Sequence, residues 1–246
     1  NPTAADISER LPALLEVLYL IFNEGYSATA GDDLLRPALC EDAMRLGRIL
    51  AQLTPQQAEV HGLLALMEIQ ASRLGARTGP DGELILLKDQ NRARWNHLLI
   101  QHGLMALEKA KQTGTSPGPY VLQAEIAACH ARAKTAQATD WQRITALYEI
   151  LIRVLPSPVV MLNHAVAVAM AFGPSAGLER VDALRDEDAL KDYYLLASTR
   201  GDFLFKLKRF DEAGQEFQRA ARLTQNNAEQ QFLLHRLKEC RIADAG

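Results

Sequence analysis

Apolar residues in this chain return every three or four positions over most of its length. Leu14, Leu15, Leu18, Tyr19 and Phe22 set the pattern, which draws one stripe along an α-helix and does not fit the strict alternation of a half-buried strand. Composition points the same way. Hydrophobic residues make up 48% of the 246 positions and aromatics only 6%; Ala and Leu dominate and β-branched runs are few, which favours helix. An all-α fold of roughly a dozen helices is expected. A chain of this length buries roughly 70–75% of its unfolded surface, so no metal or disulfide is required to hold it.

The first helix is expected to follow Ser8 as N-cap and to close at Gly25. A second should begin near Asp32 or Asp33 and bury Leu35, Leu39, Ala43, Leu46 and Leu50. Its antiparallel partner should start at Pro55 and bury Val60, Leu63, Leu64, Met67, Ala71 and Leu74. The cluster Thr78-Gly79-Pro80-Asp81-Gly82 is a strong turn signal, residues 83–88 are the one stretch suited to brief extension, and a helix should resume after Asp89 to about Lys111. Residues 113–119 hold two Gly and two Pro. They divide the reading into an N-terminal helical subdomain, 1–112, and a C-terminal one, 113–246.

Beyond that division, helices are expected over 120–136, from the cap Asp140 to Leu155, and from Pro158 to Phe172. Further on, Ala197, Gly201, Leu204, Ala213, Phe217 and Ala220 stand at the spacing of a tetratricopeptide repeat, in which small residues let two antiparallel helices approach and an aromatic fills the gap. Gln225 stands where that repeat usually has Pro, and Ala146, Ile150 and Pro158 keep the offsets of a degenerate second copy. The expected architecture is therefore antiparallel helical hairpins packed as an α-solenoid-like array, tetratricopeptide-like toward the C-terminus.

A net charge of -3 supplies no field for a free-standing nucleic-acid binder. Cys40, Cys129 and Cys240 are odd in number and form no CxxC pair, which fits a reducing cytoplasm. Residues 1–10 lack the design of a signal peptide, and the start at Asn1 rather than Met marks the chain as an expected fragment. The longest apolar run, 158–172, is interrupted by Asn163 and His164 and falls short of the ~20 residues a membrane span requires.

Chemistry-bearing motifs are sparse. No HExxH, GxxxxGK[ST] or GxGxxG occurs, and no nucleophile elbow is expected: the one GxSxG string, Gly114-Thr115-Ser116-Pro117-Gly118, lies in a Gly- and Pro-rich stretch and not between a strand and a helix. His97 and His102, five apart, point about 140° away from each other on one helix, and His61, His130, His164 and His235 stand singly. Neither a cofactor nor a catalytic metal is expected, and an enzyme built from scattered His and Glu is the weakest class. Two segments stand out instead as a candidate partner-binding surface. In one, Phe22, Asn23, Glu24 and Tyr26 carry an apolar helix into a polar turn; in the other, Arg92, Arg94 and Trp95 share a helix start. Aromatic bodies with charged tips suit an interface, while a buried Arg pairing with a Glu of another helix around a structural Trp is the competing reading.

At these same residues the sequence resembles a known family. The run Val17 to Ala28 containing Phe22-Asn23-Glu24-Gly25-Tyr26, then Arg45-Leu46-Gly47-Arg48, Gly62 to Met67, Arg92-Ala93-Arg94-Trp95, Gly118-Pro119-Tyr120, Thr139-Asp140-Trp141 and Pro158-Val159-Val160, is similar to the C-terminal extension of extracytoplasmic-function RNA polymerase sigma factors. Asn96 and His164 depart from it, standing where the family tends to have Asp and Arg. The resemblance implies a cytoplasmic, non-catalytic module that regulates transcription initiation in cis by contacting the sigma domains or the polymerase core. Promoter contact would then belong to domains upstream. A free-standing helical scaffold that binds a peptide or protein partner is the alternative.

Overall fold

The computed structural model describes residues 4–31, 34–80 and 82–244. Among them the fold is all-α, with eleven α-helices; the strand content is one parallel pairing of Ala30–Gly31 with Gln225–Asn226 and an isolated bridge between Thr78 and Leu84. The residues divide into two compact units. One comprises 4–28, 35–77 and 86–136, the other mainly 137–244 with 29–31, 34, 78–80 and 82–85.

The first unit holds α1 (Ala4–Tyr26), α2 (Pro37–Leu53), α3 (Ala58–Ala71), α4 (His97–Gln112) and α5 (Pro119–Arg132). At its centre lies α3, which packs against the other four, and 12 of its 14 residues are buried. A helix apolar on every side has no solvent face to keep, so it becomes the core of its unit. Several expected boundaries shift. Helix α1 already runs through Ser8, whose side chain lies outside the described residues, as do Asp32 and Asp33. Pro37 opens α2. Residues 55–57 form a turn ahead of α3, and residues 87–94 form two short 3-10 turns before Asn96 caps α4 by accepting from the Leu98 and Leu99 amides.

The inward face of α2 also differs from the expected one. Cys40, Ala43, Met44, Gly47 and Ala51 are buried, whereas Leu46 is exposed. The cause is close approach: a Cβ on Gly47 would lie 2.8 Å from the Met67 methyl, and one on Gly25 would lie 2.8 Å from Cys40 Sγ. Small residues win the inner positions, and large ones are left outside.

The expected boundary at 113–119 is a loop within this unit. Beyond it α5 packs on α3 and is held at both ends by side chains of the same unit. At its N-terminus the Glu59 carboxylate accepts from the Tyr120 and Val121 amides at 2.8 and 3.2 Å. At its C-terminus Arg92 Nη1 donates to the His130 and Ala133 carbonyls at 2.5 and 2.7 Å. Anion at the amide end and cation at the carbonyl end both complement the helix dipole.

The second unit holds α6 (Trp141–Val154), α7 (Pro158–Phe172), α8 (Pro174–Asp182), α9 (Tyr194–Lys206), α10 (Phe210–Leu223) and α11 (Asn227–Asp244). Asp140 caps α6 as expected, accepting from the Arg143 amide. The repeat-spaced residues pack α9 onto α10: Ala197, Gly201, Leu204, Ala213, Phe217 and Ala220 are all buried, and the Phe217 ring lies 3.0 Å from where a Cβ on Gly201 would be. The degenerate copy packs differently, since Ala146 and Ile150 face solvent. Arg200 on α9 joins Asp182 of α8 at 2.7 Å and Glu216 of α10 at 2.9 Å.

Candidate functional site

The two segments singled out by sequence both lie in the first unit, and each packs into its interior. Phe22 is fully buried and Trp95 is 4% exposed. Asn23 and Tyr26 are half-buried, and Glu24 pairs with Arg36 at 2.6 Å. Tyr26 stacks on Phe22 and receives the guanidinium of Arg77 4.0 Å from its ring centre, with Arg73 at 5.9 Å. Arg92 lies 4.5 Å over the Trp95 ring while it caps α5. Burial first, and then the charges of Arg73 and Arg92, push the His130 imidazole down to about 3. Of the seven candidate residues only Arg94 is exposed. The surface expected from Phe22 and Trp95 is thus corrected to core packing: Phe22 joins the core built around α3, and Trp95 packs with Ala76 and Ile100.

A concave site lies elsewhere in the same unit. Over one face of α3, between α2 and α4, runs a groove of about 680 Å³. Three helical stripes line it: Arg48, Ala51 and Gln52 from α2, His61, Leu64 and Glu68 from α3, and His102, Met105, Ala106 and Lys109 from α4. Each set follows the three-and-four spacing that keeps residues on one helix face. The floor is apolar and close-packed, with Ala51, Leu64 and Ala106 buried; the rim is polar and exposed.

Glu68 is the groove's single carboxylate. Burial raises its pKa, opposed by the hydrogen bond and charge of Arg48 and by the charge of His102. Arg48 holds it through Nε and Nη2 at 2.9 and 2.8 Å, while the Arg48 side chain remains 44% exposed. His61 Nε2 contacts the Pro55 carbonyl at 3.0 Å. Lys109 and His102 make no ion pair among the described residues. Sequence reasoning missed this site because its residues come from three separated segments. The available signal was His61 and Glu68, polar residues seven apart within the apolar stretch of α3.

Among the described residues no three His, Cys, Asp or Glu side chains are placed to hold a metal. No helix there is long and apolar enough to cross a membrane. Burial pushes the Cys40 thiol up to about 11, which keeps it protonated.

Residues 10–111, covering most of α1 and all of α2 to α3 with nearly all of α4, match the model of a family of unknown function, DUF6596. The chain is also similar to an uncharacterized protein of Rhizobium meliloti (strain 1021), at 43% identity over 233 residues, 95% of this chain and 54% of that protein. It therefore spans about half the length of the curated relative it matches.

Proposed function

We propose that this chain is a protein-interaction module that regulates an extracytoplasmic-function sigma factor in cis. The observation that carries an interaction role is an exposed apolar surface. Leu14, Val17 and Leu20 on α1 and Leu46, Ile49 and Leu53 on α2 are exposed, Leu20 at 61% and Leu53 at 74%, on two helices packed against each other. Helix α1 already buries Leu11, Leu15, Leu18 and Phe22, and α2 turns mainly small residues inward, so the large apolar side chains left outside mark a surface that gains from being covered. The sequence resemblance supplies the partner: the sigma domains that would precede this module in the same polypeptide. A parent with the proportions of the 43% identical relative has room for them. The net charge of -3 leaves promoter binding to those domains.

The test uses the full-length parent and purified core polymerase. Leu20→Asp combined with Leu53→Asp should leave helicity and melting unchanged, because both positions are solvent-exposed, yet alter promoter-specific transcription at least threefold, as should deletion of the module. Unchanged transcription in both proteins would reject the reading. The groove over α3 favours a second reading, a scaffold that takes a peptide from another protein.

A further inference from the structure

We propose that the groove between α2 and α4 is a recognition site for a carboxylate carried on a short, extended peptide segment. The inference holds whether the module serves a sigma factor or stands as a separate scaffold, because it rests on groove chemistry and not on the apolar faces of α1 and α2.

The argument begins with size. A groove of about 680 Å³ falls within the ~300–1,000 Å³ range of ligand clefts, room for a few residues of chain. Charge follows. The protein as a whole is negative, but this rim carries Arg48, His102 and Lys109 against the one carboxylate of Glu68. That carboxylate is buried at the floor and already engaged by Arg48, so it anchors the guanidinium without repelling a visitor. Arg48 spends Nε and Nη2 on Glu68 and keeps Nη1, the outer donor of its fork, for a ligand oxygen. Buttressed in this way, the guanidinium is already oriented, and an incoming carboxylate has less side-chain entropy to overcome.

Opposite Arg48, His102 and Lys109 lie seven residues apart on α4, two turns and about 10 Å along the groove. On one face of an extended segment side chains recur every second residue, so acidic side chains four residues apart, about 13 Å, with an apolar one midway come within reach of both posts through the long Lys109 side chain. Between them Met105, 62% exposed, gives an adaptable apolar contact above the Ala51, Leu64 and Ala106 floor. A cationic post, Lys109, and a hydrogen-bonding imidazole, His102, with an apolar step between them select a segment in which every second residue runs acidic, apolar, acidic. Neutral or basic segments leave the posts unpaired.

The probe is a fluorescein-labelled, C-terminally amidated pentapeptide, Glu-Ser-Leu-Ser-Glu, titrated against the whole chain by fluorescence anisotropy at 0.15 M salt. Binding at micromolar concentration is expected, weakened at least tenfold by Lys109→Glu and by replacing every Glu of the peptide with Gln. His102→Ala, an exposed substitution like Lys109→Glu, should weaken it several-fold, with circular dichroism showing both variants folded. Because the peptide is amidated, its carboxylates are side chains alone, and binding that appears only with an unblocked C-terminus also overturns the proposal. No binding up to 1 mM, equal affinity for the Gln peptide, or indifference to Lys109→Glu overturns it. Leu20→Asp with Leu53→Asp should leave peptide affinity unchanged, so failure of the groove and failure of the sigma-factor reading remain separate results.

Discussion

Replacing Arg92 by Met tests how far α5 depends on the guanidinium at its C-terminal end. Met keeps an aliphatic stem over Trp95 and deletes the charged head. Natively, Nη1 donates to the carbonyl oxygens of His130 and Ala133 at 2.5 and 2.7 Å. Hydrogen bonds to a charged group contribute about 1.5–3 kcal/mol each, and a cation beside the last turn adds about 0.3–1 kcal/mol. Two effects oppose this gain: burial and the charge of nearby Arg73 both lower the Arg92 pKa. Part of the attraction is therefore spent on desolvation and repulsion, and the expected net loss is about 2 kcal/mol, not the sum of the two bonds. With a urea slope of about 1–3 kcal/mol/M, the midpoint should fall by about 1 M. Urea unfolding followed by circular dichroism reads the loss, and hydrogen exchange should quicken in the last turn of α5. A variant within about 0.5 kcal/mol of wild type, with unchanged exchange there, would refute the reasoning by proving that water serves those carbonyls equally well.

The opposite end of α5 gives a companion case: Glu59→Gln removes the negative charge from the Tyr120 and Val121 amides and should cost about 1 kcal/mol by the same urea assay. Gly103→Ala places a Cβ 2.6 Å from Ile69 Cγ1, so overpacking of about 1–3 kcal/mol should outweigh the gain in helix propensity and lower the melting temperature. His130, held down to about 3, contributes stability that is complete above the ordinary imidazole range near 6.5 and drains away as pH falls toward 3. Stability of the wild type should thus decline by at most about 1.4 kcal/mol per pH unit on this account, and His130→Gln should flatten the profile between pH 6.5 and 4.

What the sequence made legible follows from how locally each feature is determined. Helix existence is written in the apolar period, and the α9–α10 hairpin in six spaced residues, because both depend on neighbours within a few turns. Which face of α2 turns inward is not local: Leu46 fits a core stripe as well as Gly47 does, and the Met67 methyl on another helix decides it. The segment Arg92-Ala93-Arg94-Trp95 reads equally as an exposed hot spot or a buried stack. Only the carbonyl end of α5, thirty-eight residues on from Arg92 at His130, separates the two. Residues 113–119 have the composition of a linker, yet α5 returns to α3, a long-range pairing that no turn signal reports. The groove was invisible for the same reason, being assembled from three helices.

The burial of α3 on every side also bears on how the protein is made. During synthesis its 14 residues leave the ribosome before the helices that cover them, and an isolated helix of that length is marginal in water. From Ala71 to Arg132, the ends of α3 and α5, 61 further residues must be added, which at about 5–20 residues per second takes roughly 3–12 s. For that interval a nearly all-apolar segment has no native cover beyond α1 and α2. The nascent chain should be a client of ribosome-associated holding factors, and slowing translation across residues 72–132 should lower the yield of folded protein more than slowing it after residue 137.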